Sequence, residues 1–132
     1  LHAVAGLQWR VLPAGLVDEG ETAAEAAVRE LHEETGLVAD VDACSLSSPL
    51  VLSPGLTNEN VIVVTVPVDM SRSENRPESA QQALDDGEDI QLITCELAGL
   101  HSTLQRLQRD DGLLVFAGLY MFAAGMSLQA RL

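Results

Sequence analysis

Residues 15–37 of the chain read GLVDEGETAAEAAVRELHEETGL. The middle of this run is rich in alanine. It follows Thr22, a residue type that caps helices, and Glu25 stands three residues later, which is the spacing of a capping box. Gly36 is suited to the left-handed conformation in which many helices end. The pattern therefore predicts a helix that begins after Thr22 and ends at Gly36, preceded by a loop over 15–20.

Three glutamates crowd together on this predicted helix. Because a helix turns about 100° per residue, Glu30 and Glu34 stack on one face and Glu33 lies beside them. Arg29 is the only base nearby, and its partner four residues on is Glu33. The repulsion between Glu30 and Glu34 is relieved if divalent cations lie between them, and carboxylate oxygens suit Mg²⁺ or Mn²⁺ rather than zinc. A solvated acidic helix face is the alternative.

The spacing of residues 15–37 also matches a family signature. The matching residues are Gly15, Glu21, Arg29, Glu30, Leu31, Glu33, Glu34, Gly36 and Leu37. In this spacing the chain resembles the Nudix hydrolases. The resemblance implies an α/β fold, namely an α/β/α sandwich around a mixed β-sheet. It implies metal ligands at Glu30, at Glu34 and at the carbonyl of Ala14, with Mg²⁺ or Mn²⁺ as cofactor, while Glu21 either supports these ligands or only caps the helix.

Three further segments resemble the branch of the family that hydrolyses ADP-ribose and ADP-sugars. They are 12–16 (LPAGL), 53–59 (SPGLTNE) and 87–90 (GEDI). In that branch, a glutamate at the position of Glu88 lies on a mobile loop and serves as catalytic base or as metal ligand. The implied reaction is Mg²⁺-dependent cleavage of the diphosphate linkage, which yields AMP and a sugar phosphate.

The resemblance assigns further roles to single residues. Arg29 would hold Glu33 in place beside the metal ligands. Leu16 would present backbone groups to the substrate. Ser53 would lie near the sugar of the substrate or would only occupy a turn. Other nucleoside diphosphate derivatives, such as an oxidised nucleoside diphosphate or a GDP-sugar, and a non-catalytic ligand-binding module remain alternatives.

Composition excludes several other functions. Acidic residues outnumber basic ones by 20 to 7, giving a formal charge of −13. This argues against a nucleic-acid partner, because such binding needs a basic face. All seven bases are arginine, which excludes mechanisms that need a lysine. An acidic chain can still act on phosphates when divalent cations stand between its carboxylates and the substrate.

The length of 132 residues predicts a single domain over 1–132. Only fourteen residues precede Gly15, whereas members of the branch usually begin with extra strands that help to form a homodimer. We therefore expect a Nudix domain that is short or truncated at its N-terminus and lacks most of that strand region. The resemblance implies a homodimer, and the short N-terminal segment argues against one.

Outside the box, the sequence predicts the following elements. They are strands at 37–41, 43–46 and 88–95, a strand buried on both faces at 61–66, a long loop at 69–87, and an amphipathic helix at 101–109.

Residues 112–130 carry no charge and are long enough to span a bilayer. Internal glycines and polar residues, with no aromatic belt, favour a buried core helix instead. No signal peptide is visible, and Cys44 and Cys95 fit no disulfide framework. We therefore expect a cytoplasmic or nuclear protein without a membrane segment.

Overall fold

The computed structural model describes residues 3–4, 7–84 and 89–130. The described residues form two compact units, named here by their place in the sequence. The central unit is Pro13–Ala83, and the flanking unit consists of the described residues within 1–12 and 84–132. Both units combine helices with strands, so the α/β class predicted from the sequence is confirmed. The predicted single domain over 1–132 stays a prediction.

Three helices and seven short strands make up the regular structure of the described chain. The helices are α1 (Ala23–Thr35), α2 (Leu100–Asp111) and α3 (Ala117–Gln129). The strands are β1 (Ala3–Val4), β2 (Leu7–Arg10), β3 (Ser45–Leu46), β4 (Leu50–Val51), β5 (Asn60–Val61), β6 (Val64–Thr65) and β7 (Leu114–Val115). Single 3₁₀ turns lie at Val41–Ala43, Ser73–Asn75 and Leu97–Gly99.

The strands form three small sheets. In the flanking unit, β2 pairs antiparallel with β1 and parallel with β7, which makes the predicted mixed sheet. In the central unit, β3 pairs with β6 and β4 pairs with β5, both antiparallel. Helix α1 contacts β3 and β6, so the helix that carries the glutamates lies against the β3–β6 pair.

The caps of α1 agree with the sequence prediction. The Thr22 hydroxyl accepts a hydrogen bond from the Glu25 N–H at 3.3 Å, and the Glu25 carboxylate accepts one from the Thr22 N–H at 2.7 Å. Hydrogen bonds from the hydroxyl and N–H of Thr22 hold the pKa of Glu25 below its ordinary value. At the other end, Gly36 has a φ of 74°, the predicted left-handed conformation. Local capping chemistry therefore sets both ends of α1.

Of two strand predictions in the central unit, one is wrong and the other holds only in part. Residues 37–41 form no strand; instead the Asp40 carboxylate accepts from the Asp42 N–H at 3.0 Å and starts the 3₁₀ turn at Val41–Ala43. Of 43–46, only Ser45–Leu46 is a strand.

The prediction that 61–66 forms one strand buried on both faces is also wrong. It is divided between β5 and β6, which have different partners. Along 61–66 the side chains alternate between exposed and half-buried. The reason is that only one side of this segment is covered, whereas uniform β-branching had suggested two covered faces.

In the flanking unit, the predicted amphipathic helix is confirmed as α2. Leu104 and Leu107 on α2 are buried, and Leu104 packs with Leu119 and Ala123 of α3. The prediction of a strand at 88–95 is wrong over its described part. Residues 89–95 have no regular structure and pair with no strand of the described chain. Residues 85–88 lie outside the described residues.

The predicted helix over 112–130 is shorter than expected, because β7 occupies its beginning. Leu119 and Ala123, four residues apart, face α2, whereas Met121 and Phe122 are exposed. The prediction of a buried core helix thus holds for one face of α3 only. No helix within 3–4, 7–84 and 89–130 combines the length and the apolar character that crossing a membrane requires.

The predicted loop at 69–87 is irregular where it is described, and it is tied to the end of α1 by one buried side chain. Asn75 is only 1% exposed. Its Oδ1 accepts from the Val38 N–H at 2.6 Å, and its Nδ2 donates to the carbonyls of Val38 and Asp69, both at 2.9 Å. One amide group therefore satisfies both backbone polar groups of Val38.

We expect Asn75→Ala to lower the free energy of unfolding by about 3 kcal/mol, because it leaves backbone groups of Val38 and Asp69 without partners. Urea denaturation followed by circular dichroism measures the change. The matched control is Asn58→Ala, since Asn58 is exposed. Equal stabilities of the two variants would show that the Asn75 amide contributes nothing.

Candidate active site

One guanidinium group joins the loop before α1 to the helix itself. Arg29 donates through Nε to Glu21 Oε1 at 3.0 Å and through Nη2 to Glu21 Oε2 at 3.1 Å. Nη2 also donates to the carbonyl of Leu16 at 3.0 Å. Two parallel bonds from a planar guanidinium to a carboxylate fix its orientation as well as its distance. The loop over 16–21 is therefore held against α1.

The same guanidinium contacts two of the three clustered glutamates. Nη1 donates to Glu30 Oε1 at 2.8 Å and to Glu33 Oε2 at 3.1 Å. The predicted pair of Arg29 with Glu33 is confirmed. Glu30 has a side chain 19% exposed, against 40% for Glu33, so Glu30 lies deeper in the cluster.

The sequence did not predict three carboxylate partners of Arg29, namely Asp18, Glu21 and Glu30. Glu21 lies before the helix begins, so helical spacing does not place it near Arg29. Its contact depends on how the loop folds back, and the only signal was its position in the family signature. Glu30 is adjacent in sequence to Arg29, and adjacent helical residues point in different directions; the long arginine side chain overcomes this.

Electrostatics within the cluster follow from these contacts. Hydrogen bonds from Arg29 hold the pKa of Glu21 below its ordinary value. In turn, hydrogen bonds from Glu21 and Glu30 raise the pKa of Arg29. Arg29 therefore remains a cation and Glu21 a carboxylate at neutral pH. Glu21 accepts from Arg29 and from the Asp18 N–H, and whether it supports the metal ligands or only caps the helix stays open.

The Glu30 carboxylate lies directly against the loop backbone at Gly15. A Cβ added to Gly15 would overlap the Glu30 carboxylate, so only glycine leaves room for it. Ala14, whose carbonyl is the other predicted oxygen ligand, is the preceding residue. Glu34 follows Glu30 by one helical turn and is half-buried. Ala14 is therefore the chain neighbour of the residue that the Glu30 carboxylate contacts, and its role as a ligand stays a prediction.

This donor set fits a hard divalent cation. A backbone carbonyl and glutamate carboxylates are oxygen ligands of the kind that Mg²⁺ and Mn²⁺ prefer. Among the residues described, no group of three or more His, Cys, Asp or Glu side chains is arranged to hold a metal ion. The predicted set contains two carboxylates from α1 and one carbonyl. Its remaining member, Glu88, lies outside the described residues.

The two predicted substrate residues lie in loops of the central unit. The side chain of Leu16 is 83% exposed, and its carbonyl is already bound by Arg29. Ser53 is half-buried. Its carbonyl accepts from the N–H groups of Leu56 and Thr57, both at 3.0 Å, which closes a turn. A turn position for Ser53 is therefore observed, and its contact with a sugar stays a prediction.

Several known proteins resemble this chain in sequence. A model of the NUDIX domain family matches residues 2–112. The chain is 41% identical over 117 residues to an uncharacterized Nudix hydrolase of Schizosaccharomyces pombe, covering 87% of this chain and 54% of that protein. It is 46% identical over 100 residues to the ADP-ribose pyrophosphatase of Saccharomyces cerevisiae, a match that covers 75% of this chain and 41% of that protein. It is 34% identical over 115 residues to the ADP-sugar pyrophosphatase of Mus musculus, a match that covers 86% of this chain and 50% of that protein. The chain spans about half the length of the curated relatives it matches.

We expect Gly15→Ala to weaken divalent cation binding at least about ten-fold, the cost of one or two displaced charge-assisted contacts. The added Cβ takes the place of the Glu30 carboxylate. Calorimetric titration with Mn²⁺ measures the affinity. Gly55→Ala is the matched control, because a Cβ at Gly55 meets nothing within 4 Å. If both variants bind Mn²⁺ like the wild type, the Glu30 carboxylate does not contribute to the site.

A second expectation concerns pH. The pKa of Glu21 is lowered from its ordinary value of 4.5, so its bond to Arg29 stabilises the fold above that pH and is lost as pH falls through the lowered pKa. We expect Arg29→Met to melt below the wild type at pH 7, with a gap that narrows as the pH falls below 4.5. Thermal melts in EDTA between pH 7 and pH 3 test this. A gap that is constant across this range would mean that the ion pairs do not stabilise the fold.

Proposed function

Because this chain belongs to the Nudix hydrolase family, we propose that it hydrolyses the diphosphate linkage of ADP-ribose or a related ADP-sugar in the presence of Mg²⁺. The products are AMP and a sugar phosphate. The observation that carries the proposal is the Glu30 carboxylate, which Arg29 binds at 2.8 Å and which lies against Gly15. The names of the Saccharomyces cerevisiae and Mus musculus relatives support the choice of substrate.

Three groups of this chain would hold Mg²⁺: the carboxylates of Glu30 and Glu34 and the carbonyl of Ala14. Bound Mg²⁺ supplies positive charge that neutralises the diphosphate and lowers the pKa of water. Mn²⁺ has the same preference for oxygen ligands and would replace it. Since the chain has a formal charge of −13, binding of a diphosphate depends on such neutralisation.

The remaining residues act by position and by proton transfer. Arg29 keeps Glu30 and Glu33 on the side of α1 that meets the loop. Glu33 therefore contributes to catalysis from the position in which Arg29 holds it. Glu88 either accepts the proton of the attacking water or completes the metal coordination. A proton acceptor within hydrogen-bond reach of the water is what general base catalysis requires. Most of the rate enhancement then comes from charge stabilisation and orientation, as in other phosphoryl transfers.

Substrate contacts come from the two exposed loops. Leu16 presents backbone groups to the diphosphate or the nucleoside, and Ser53 lies near the sugar. The proposed ligand is a small nucleoside diphosphate sugar, with no nucleic acid partner, in keeping with the excess of acidic residues. A homodimer remains the expectation from the family resemblance.

We expect the wild type to release AMP and ribose 5-phosphate from ADP-ribose in the presence of Mg²⁺. The variant Glu34→Gln should keep its fold but lose at least about 10³-fold in kcat, because it lacks a charged metal ligand. Chromatography of the products of a panel containing ADP-ribose, ADP-sugars, GDP-sugars and oxidised nucleoside diphosphates measures the activity. Glu78→Gln is the control, because Glu78 is exposed and lies outside the proposed site.

Each outcome of the panel separates one candidate function from the others. Hydrolysis of a GDP-sugar or an oxidised nucleoside diphosphate in preference to ADP-ribose would leave the reaction class intact and replace the substrate. Binding of ADP-ribose without cleavage would favour a ligand-binding module. A Glu34→Gln variant that keeps wild-type turnover would remove Glu34 from the metal site.

A further inference from the structure

Two carbonyl groups in the last turn of α1 are bound from outside the helix. The last four carbonyls of any helix have no partner within it. Here the Gly36 N–H donates to the His32 carbonyl at 2.7 Å, as the C-terminal cap. The Ala83 N–H donates to the Glu33 carbonyl at 2.7 Å, and Gln82 Nε2 donates to the Glu34 carbonyl at 2.6 Å. The two glutamates of the proposed site therefore have their backbones bound by two consecutive residues that are nearly fifty positions away in the sequence.

The segment that supplies these donors, 69–83, is itself anchored beside the helix end. Asn75 binds both backbone groups of Val38, two residues beyond the cap. A Cβ at Gly36 would overlap the backbone nitrogen of Gln81 and the carbonyl carbon of Ala80, so the segment passes directly over the cap. The donors at Gln82 and Ala83 thus come from a fixed segment.

The helix end that this segment holds is one that would otherwise fray. Helix termini open more easily than helix centres, and like charges one turn apart destabilise a helix. Glu30, Glu33 and Glu34 place three such charges in the last two turns of α1. Arg29 neutralises part of this charge through its bonds to Glu30 and Glu33, and the rest of the repulsion acts on the helix end. External hydrogen bonds to the Glu33 and Glu34 carbonyls oppose it.

We propose that Gln82 is a positioning residue for the metal ligands: through the Glu34 carbonyl, it holds the end of α1 in the conformation that binds a divalent cation. This inference rests on the proposed function, since it takes Glu34 as a ligand. It adds a residue outside the family signature to the site. Preorganising a ligand in this way improves affinity, because less conformational freedom is lost when the cation binds.

The test compares Gln82→Met, which keeps the length of the side chain and removes the donor, with Gln81→Met one residue away. The Gln81 side chain is exposed and makes no hydrogen bond to α1 among the described contacts. Calorimetric titration of the metal-free, full 132-residue chain with Mn²⁺ alone gives the affinity. Hydrogen–deuterium exchange of a peptide covering 33–38 gives the mobility of the helix end.

We expect Gln82→Met to bind Mn²⁺ about three- to ten-fold more weakly, the range for the loss of one hydrogen bond, while Gln81→Met changes by less than about two-fold. Exchange over 33–38 should be faster in Gln82→Met only. The melting temperature of Gln82→Met in EDTA should fall by no more than the loss of one exposed hydrogen bond allows. The kcat of Gln82→Met should recover at saturating Mg²⁺, because the carboxylates are intact. A merely structural role would lower stability and kcat without this recovery.

Two results overturn the inference in distinguishable ways. If the wild type binds Mn²⁺ normally and Gln82→Met binds it equally well, the Glu34 carbonyl contact does not position the ligands, and the proposed function is untouched. If the wild type binds no Mn²⁺ at all, the proposed function fails and the inference fails with it.

Discussion

The contacts of the Arg29 guanidinium are the interaction on which the rest of the site depends. Four carboxylates approach this one cation, namely Asp18, Glu21, Glu30 and Glu33, at 2.8 to 3.8 Å. Such a concentration of negative charge is unfavourable without a central cation. Arg29 neutralises part of it and, through Glu21 and the Leu16 carbonyl, fixes the loop that carries Ala14 and Gly15. The loop and the helix are therefore one electrostatic unit.

A second set of contacts works at the other end of the same helix. The 69–83 segment binds the carbonyls of Glu33 and Glu34 and is anchored by the buried Asn75. Arg29 acts on side chains, whereas this segment acts on the backbone. Together they restrain a helix end whose charges repel. The proposed divalent cation site needs carboxylate charge, and we infer that restraint from two sides lets α1 carry that charge without fraying.

What could be predicted from the sequence is what depends on neighbouring residues. The Thr22–Glu25 capping box, the left-handed Gly36 and the Arg29–Glu33 pair involve residues within four positions, so helix geometry alone places them. The bond between Arg29 and Glu21 and the bond between Asn75 and Val38 depend on how loops fold back. No periodicity encodes such contacts.

The wrong strand predictions have a related cause. β-Propensity depends on side-chain type, but a strand forms only where a partner strand pairs with it. The β-branched run 61–66 was divided because two separate strands, β3 and β4, pair with its two ends. Residues 89–95 have no pairing strand in the described part of the chain. The family signature identified the family correctly, whereas β-propensity placed the strands wrongly. The signature specifies residue types needed for chemistry rather than for a local conformation.

The central claim is that the loop at Ala14 and the carboxylates of α1 form a divalent cation site only in the folded chain. Scanning calorimetry in EDTA and in excess Mg²⁺ tests it most directly, because a ligand that binds only the folded state raises the melting temperature. The account predicts a higher melting temperature with Mg²⁺, equivalent to about 2.7 kcal/mol when Mg²⁺ exceeds its Kd 100-fold, and no such shift for Glu30→Gln. Identical melting temperatures of the wild type in EDTA and in Mg²⁺ would contradict it.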